Sequence, residues 1–334
     1  GGDSAEVALE LMPGNKIRKY DTWHAMGQGA TTGSLVVTLE ALKEMHLTPE
    51  DIQLIQNDTK TCPDTGMAGA SRSLYMDGNA TIIAANKLLA AMRKEDGTLR
   101  TYDEMKAEGI ETKYLGRYET NTTPGLCRLD PNTGIGDPTP AFTYCLNLAE
   151  VEVDTKTGKT TVLKFTCVDF VGRIGNIDAV NGQAYSGIMH GIGFALKEDY
   201  ADVKKHANMF GAGTSYIKDV PDDINLIHID GAISDGPFGS SGASEAFQAS
   251  GHCAVLNGIY NACGVRIHEI PALPEKVKAG LDAIAKGEKP YEPKKYFLGS
   301  DMYEELENIK ENPVQVGTQS FYVSLDDPTA ERPF

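Results

Sequence analysis

The sequence predicts an α+β fold of two α/β lobes, each a mixed sheet with packed helices. Stretches in which apolar and polar residues alternate occur early and again in the middle of the chain, and helical spacing of apolar residues follows each of them. The length of 334 residues suits one large domain or two modest ones. We therefore place a first lobe at 1–140, a second lobe at 141–285 and an extended C-terminal arm at 286–334.

The first lobe opens with a predicted hairpin. Apolar and polar residues alternate over Ala5–Leu11, as in a half-buried strand, and Ile17–Trp23 is a second run that can pair with it. Pro13-Gly14-Asn15 lies between the two runs and is typical of a turn. Three further elements are predicted in this lobe: a helix over Leu35–Met45, a strand over Ile52–Ile55 and a helix over Ala80–Met92.

The second lobe is predicted from a longer hairpin. Its strands, Phe142–Asp154 and Lys159–Phe170, flank the turn sequence Thr155–Gly158. Four elements are predicted after it: a helix over Asp178–Lys197, a strand over Asn225–Ile229, a helix over Glu245–Cys263 and a strand over Val265–Ile270. Periodicity is weak over Glu95–Asp137, so we interpret that stretch as a long irregular excursion.

Composition and charge disfavour several classes of function. A formal net charge of −16 repels phosphate backbones and anionic lipids, so we expect neither nucleic acid nor a membrane as a partner. The six cysteines form no CxxC pair and the histidines show no HxH or HExxH spacing, so we predict no metal ligands and no iron–sulfur cluster in this chain. Neither a signal peptide nor a run of ~20 apolar residues is visible, which predicts a cytoplasmic location.

Glycine-rich segments stand before several predicted helices. Gly27–Gly33 lies between a strand and a helix, where unpaired N–H groups and the helix dipole can bind a phosphate or a flat polar heterocycle. Gly66–Asn79 contains Arg72, which, if buried, could hold a phosphate through two hydrogen bonds. Gly172–Gln183 offers further backbone amides. Taken singly, each segment is also explained by an ordinary turn, a helix cap or a solvated loop.

A further segment, Gly236–Glu245, leads into an apolar helix and ends on a carboxylate. Its small residues allow the backbone to approach a ligand closely. The neighbours of Glu245 are uncharged, so we expect a poorly hydrated carboxylate that the helix N-terminus keeps ionised, which suits a general base. From position alone, a helix-capping glutamate is the alternative.

Together, the order and spacing of these segments resemble one family, the xanthine-oxidase family of molybdenum hydroxylases, and within it the Mop-type aldehyde oxidoreductases. The resemblance covers about residues 5–281 and is to the second molybdopterin-binding domain of that family. The motifs that carry it are GQGA at 27–30, GASR at 69–72, AEVEVDTKTG at 149–158, VGRIGN at 171–176 and GPFGSSGASE at 236–245.

The resemblance implies a molybdopterin cofactor carrying molybdenum, in its cytosine dinucleotide form, held between this domain and another. It implies that Glu245 is the catalytic base and that no side chain of this chain ligates the metal. The implied cofactor contacts are Gly27, Gln28, Gly29, Ala30, Ser71, Arg72, Gly175, Asn176, Gln183, Ser240, Ser241, Gly242 and Ala243. Ser244-Glu245-Ala246 departs from the Gly-Glu-Pro of many members, which puts the local turn geometry in question.

The resemblance also implies partners: iron–sulfur domains that accept the electrons and the first molybdenum-binding domain. It implies an aldehyde substrate and a homodimeric full enzyme, so we expect the chain alone to be inactive. A hydroxylase of purines or other N-heterocycles and a non-catalytic scaffold domain stay open as alternatives. A nicotinamide-dependent dehydrogenase is disfavoured, since the sequence lacks a strand–GxGxxG–helix unit with a downstream acid.

Overall fold

The computed structural model of the chain describes residues 3–56, 58–120, 141–288 and 311–312. Two mixed sheets with packed helices form the fold, which confirms the predicted class. Across the described residues, no helix combines the length and the apolar character that crossing a membrane requires.

The first sheet has the strand order β3-β2-β1-β4. Its strands are β1 (Ser4–Met12), β2 (Lys16–Asp21), β3 (Ile52–Gln56) and β4 (Lys113–Glu119). β1 pairs antiparallel with β2 and with β4, and β2 pairs parallel with β3. The predicted hairpin and the third strand are therefore confirmed.

Helices pack against this sheet and close the first core. They are α1 (Ala30–Ala41), α2 (Ser73–Met92) and α3 (Tyr102–Ala107). α2 packs on β1 and β4, and α1 packs on α2. Leu9, Leu11 and Leu88 are fully buried between these layers, and burial of one such side chain stabilises the fold by about 1.5–3 kcal/mol.

The second sheet has the strand order β5-β6-β7. β5 (Tyr144–Val153) and β6 (Thr160–Phe170) form the predicted antiparallel hairpin, and β7 (Asp223–His228) pairs parallel with β6. The helices of this part are α4 (Ile177–Leu196), α5 (Ser244–Ala249), α6 (Gly251–Cys263) and α7 (Pro274–Ala285). α6 packs on β5, and α4 packs on α5 and α6.

The predicted irregular excursion over Glu95–Asp137 is wrong in its described part, which contains α3 and β4. α3 is short, but the side chains and backbones of Thr101 and Glu104 cap each other at its start. Residues 121–137 of that stretch lie outside the described residues, as does most of the arm expected from 286 onward.

Two predictions after residue 240 also need correction. The single helix expected over Glu245–Cys263 is interrupted at Ser250, which separates α5 from α6. Val265–Ile270 forms no strand. Its apolar pattern reflects packing: Val265 is buried with Ile259 and Val277, the latter from α7, a helix that we did not predict.

Candidate active site

A cavity of about 570 Å³ lies where α1, α4 and the loop before α5 meet. Most of the residues implied as cofactor contacts line it, although they come from four distant parts of the chain. Those brought together are Gln28, Gly29, Ala30, Ser71, Gly175, Asn176, Gln183, Ser240, Ser241, Gly242 and Ala243, together with Glu245. Gly27 and Arg72 are not among the lining residues.

The turn before α1 presents backbone amides to the cavity. Gly29 caps the helix with φ of 84°, a left-handed conformation that glycine adopts without strain, and no side chain caps this end. The first amides of α1 therefore have no acceptor within the helix. Gln28 holds the turn, because its side chain accepts from the N–H of Met26 at 2.5 Å and donates to the carbonyl of His24 at 2.7 Å.

A second wall joins the start of α4 to the loop that ends at Glu245. The side chain of Asn176 caps α4 by accepting from the N–H of Ala179 at 3.0 Å. The hydroxyl of Ser240 donates to the carbonyl of Arg173 at 2.6 Å, which fastens the two segments to each other. In the same loop Phe238 has φ of 54°, a strained value for a bulky residue, and its side chain lines the cavity.

Glu245 lines the cavity from the first turn of α5 and is exposed in this chain. The expectation of a poorly hydrated carboxylate is therefore wrong for the chain by itself. The apolar side of α5 turns away from Glu245, since Phe247 is fully buried in the core of the second sheet. The backbone N–H of Glu245 donates to the hydroxyl of Ser71 at 3.3 Å.

Arg72 does not face the cavity, so the interpretation of its guanidinium as a phosphate ligand needs correction. Its Nε and Nη2 donate to the two carboxylate oxygens of Asp3 at 2.6 and 2.8 Å. Its remaining N–H groups donate to main-chain carbonyls. The guanidinium has no donor left for a phosphate, because a carboxylate of the same chain already occupies its fork.

A buried charge cluster that we did not predict lies behind the cavity wall. Lys19 is fully buried and binds Asp77 at 2.7 Å and Asp21 at 3.2 Å. Asp21 in turn accepts from the hydroxyl of Ser34 at 2.7 Å and from the N–H of the wall residue Trp23 at 3.3 Å. Burial raises the pKa of Asp77 to about 6, although the Lys19 ammonium opposes the shift. Through Asp21 of β2, the cluster therefore connects the first sheet to α1 and to the cavity-lining residue Trp23.

A second polar contact fixes α4 on its sheet. His228 lies between Asp169, at 2.7 Å from Nδ1, and the side-chain oxygen of Asn181, at 2.8 Å from Nε2. Burial raises the pKa of Asp169, and His228 opposes this shift. The end of β6 and the start of α4, which both lead into the cavity wall, are therefore joined.

No group of three or more His, Cys, Asp or Glu side chains in the described parts of the chain is arranged to hold a metal ion. What the cavity does offer is a set of backbone amides, an apolar wall that includes Trp23, Val36 and Ile174, and two carboxylates, Glu40 and Glu245. This arrangement can bind an anionic group at its amides, hold a flat ring on its wall and accept a proton at Glu245.

Known proteins are similar to this chain in sequence. The molybdopterin cofactor-binding domain family matches residues 1–221. An aldehyde oxidoreductase of Megalodesulfovibrio gigas is 41% identical over 283 residues, which are 85% of this chain and 31% of the relative. A probable hypoxanthine oxidase of Escherichia coli strain K12 is 28% identical over 277 residues, which are 78% of this chain and 29% of that protein.

Solved structures give the same picture. The crystal structure of the aldehyde oxidoreductase from Desulfovibrio desulfuricans ATCC 27774 matches with a TM-score of 0.79 and 44% identity, covering 83% of this chain and 30% of that one. Quinoline 2-oxidoreductase from Pseudomonas putida 86 matches with a TM-score of 0.67 over 84% of this chain and 38% of that one. At 19% identity, the second match shows a shared fold alone. This chain spans about a third of the length of these relatives.

Proposed function

This chain belongs to the molybdopterin cofactor-binding domains of the xanthine-oxidase family of molybdenum hydroxylases, and we propose that it forms one side of the cofactor site of an aldehyde-oxidising enzyme. The observation that carries the proposal is the meeting of four sequence-distant glycine-rich segments and Glu245 at one cavity. A scaffold domain would not need a carboxylate at that position.

The residues around the cavity fit this cofactor in two respects. The uncapped start of α1 leaves amide donors that suit the negative charge of a pyrophosphate. The apolar wall beside it suits a flat ring, and a volume of about 570 Å³ is in the usual range for a cofactor or ligand pocket. We propose the cytosine dinucleotide form of molybdopterin, as the resemblance to aldehyde oxidoreductases implies.

When bound, the cofactor supplies two-electron redox chemistry and a metal that activates water. We assign to Glu245 the removal of the proton from the attacking oxygen, by general base catalysis. Gln28 holds the amide-bearing turn in shape, and Asn176 and Ser240 hold the facing wall. Trp23 and its apolar neighbours in the cavity lining would exclude water from the cofactor on their side.

We propose that the rest of the site lies in parts of a larger enzyme, since this chain spans 31% of the length of its aldehyde oxidoreductase relative. These parts would be the first molybdenum-binding domain and iron–sulfur domains, in a homodimeric enzyme, and the isolated chain would be inactive. The 41% identity to an aldehyde oxidoreductase, against 28% to a probable hypoxanthine oxidase, favours an aldehyde over a purine. Turnover of benzaldehyde against hypoxanthine distinguishes the two.

A charge placed in the cavity tests cofactor binding. Gly175 lines the cavity and has room for a side chain, with the Val36 side chain 3.5 Å from the position of a Cβ. In the full-length enzyme, Gly175→Asp puts a carboxylate where we expect the anionic cofactor. We expect molybdenum and pterin content to fall by about tenfold or more, because the added carboxylate repels the anionic cofactor. The fold should remain, because negative charge near a helix N-terminus does not weaken the helix.

Gly182→Asp is the matched control. Gly182 lies in α4, seven residues after Gly175, with no atom within 4 Å of its Cβ position, and it is not among the cavity-lining residues. This variant should keep its molybdenum and pterin. Full cofactor content in the Gly175→Asp enzyme would contradict the proposed site.

A further inference from the structure

The turn Gly69–Arg72 has an unfavourable backbone and lies beside the start of α5, which carries Glu245. Ala70 and Ser71 have φ of 51° and 52°, in the left-handed region that residues with a side chain rarely adopt. Two such residues in succession persist only where surrounding contacts hold them, and residues of this kind cluster at functional sites. The turn must therefore be held by contacts with its surroundings, and its strained backbone indicates a functional role.

Arg72 supplies the restraint. Its guanidinium binds both carboxylate oxygens of Asp3 and donates to the carbonyl oxygens of Ser4, Thr65 and Met67. The Arg72 side chain is only 12% exposed, whereas its partner Asp3 is 47% exposed. The end of the turn is thereby fixed to β1 and to the segment before the turn.

Ser71 shows what the shape achieves. Its carbonyl oxygen lies so close to Gly242 that a Cβ at Gly242 would be 1.7 Å away. Its hydroxyl accepts the backbone N–H of Glu245 at 3.3 Å. Glu245 is in the first turn of α5, where a backbone N–H has no acceptor within the helix, so Ser71 provides the missing one.

We propose that Ser71 is a positioning residue for Glu245, and that Arg72 is the clamp that holds Ser71 in place. The inference rests on the proposed role of Glu245 as the base. A side chain in the first helical turn moves with its backbone, so a lost acceptor would let the start of α5 fray and displace the carboxylate. Since a displacement of about 1 Å can lower a catalytic rate by about 10²-fold, the positioning is measurable.

Amide hydrogen exchange at Glu245, resolved by mass spectrometry of the full-length enzyme, is the first test. Ser71→Ala removes the hydroxyl, and we expect the Glu245 amide to exchange about five- to tenfold faster, as the loss of one hydrogen bond predicts. Turnover should fall about 10- to 100-fold with KM little changed. Ser71→Gly removes the hydroxyl without backbone strain and should give the same result, so the test survives if Ser71→Ala does not fold.

Ala70→Gly is the control, because it relieves the strain of the same turn and keeps the Ser71 hydroxyl. Ala70 is not a cavity-lining residue, and we expect parental exchange at Glu245 and parental turnover. Arg72→Lys should reproduce the faster exchange, since a lysine cannot present the guanidinium fork. Unchanged exchange at Glu245 in both Ser71 variants, or an equal increase in Ala70→Gly, would overturn the positioning role, and unchanged exchange in Arg72→Lys would overturn the clamp.

The exchange measurement also separates this inference from the proposed function. If Glu245→Gln leaves turnover intact, the assignment of Glu245 as the base fails whatever the exchange shows. If Glu245→Gln abolishes turnover while the Ser71 variants exchange as the parent does, the base assignment stands and the positioning role of Ser71 fails.

Discussion

Ser71 and Glu245 are 174 positions apart in the sequence, yet the hydroxyl of the first accepts the backbone N–H of the second at 3.3 Å. The contact joins the turn before α2 to the first turn of α5, and hence the part of the chain that carries the first sheet to the part that carries the second. The candidate base is therefore placed by tertiary packing as well as by its own helix. Changes at this junction should affect stability and function together.

Gly242→Ala should be among the most destabilising single-methyl changes at the cavity. The added Cβ would lie 1.7 Å from the carbonyl oxygen of Ser71, so the 69–72 turn or the 240–245 loop must move. We expect the free energy of unfolding to fall by about 1–3 kcal/mol. Urea unfolding followed by circular dichroism measures the change.

Gly182→Ala is the comparison for that measurement. Gly182 is inside α4 and a Cβ there meets no atom within 4 Å, so alanine should raise the free energy of unfolding by about 0.5–1 kcal/mol. A Gly242→Ala protein as stable as the Gly182→Ala protein would show that the two segments do not approach as closely as the structure has them.

Lys19→Met should cost far more stability than an ordinary loss of a lysine. Lys19, Asp21 and Asp77 are fully buried, and removal of the ammonium leaves two carboxylates without their cation. We expect a loss of about 3–5 kcal/mol in the free energy of unfolding. Adding Asp77→Asn to Lys19→Met should restore part of it, because one buried charge is then gone. Equal stability of the single and double variants would contradict an ionised cluster.

Asp77 should also give stability an unusual dependence on pH. Burial raises its pKa in the folded state from 3.8 to about 6, so the folded state holds this proton more tightly than the unfolded state does. Its contribution to stability is full below about pH 4 and is lost as pH rises through about 6. Relative to Asp77→Asn, the parent should therefore gain on the order of 2 kcal/mol between about pH 7 and pH 4. A difference between the two proteins that does not vary with pH would count against the raised pKa.

The sequence predicted those parts of the fold whose signals are local. The alternation of apolar and polar residues predicted strands β1, β2, β5 and β6. The order of the glycine-rich motifs identified segments that the structure places around the cavity. The start of α2 was placed seven residues late at Ala80, because Gly66–Asn79 was interpreted as a glycine-rich segment before the helix, although α2 begins at Ser73 and several residues of 73–79 are buried. A short helix with a mutual cap, such as α3, is likewise hard to see in a stretch of weak periodicity.

Features that depend on distant partners were not predictable in this way. Lys19 and Asp21 share a strand face with the buried Ile17, which signals burial, but Asp77 is 58 positions from Lys19 and nothing local pairs them. Arg72 was interpreted as a phosphate ligand because nothing near it in the sequence indicates its actual partner, Asp3, which is 69 positions away. The hydration of Glu245 depends on which way α5 turns, and this follows from the burial of Phe247 rather than from composition.

The account as a whole depends on Glu245 acting as a base beside a cofactor held by the cavity. The most direct test is Glu245→Gln in the full-length enzyme, with aldehyde turnover and with molybdenum and pterin content measured on the same preparation. Since general base catalysis contributes about 10²- to 10⁴-fold, we predict a fall in kcat of that size with cofactor content unchanged. Turnover equal to that of the parent enzyme, with the cofactor in place, would contradict the central claim.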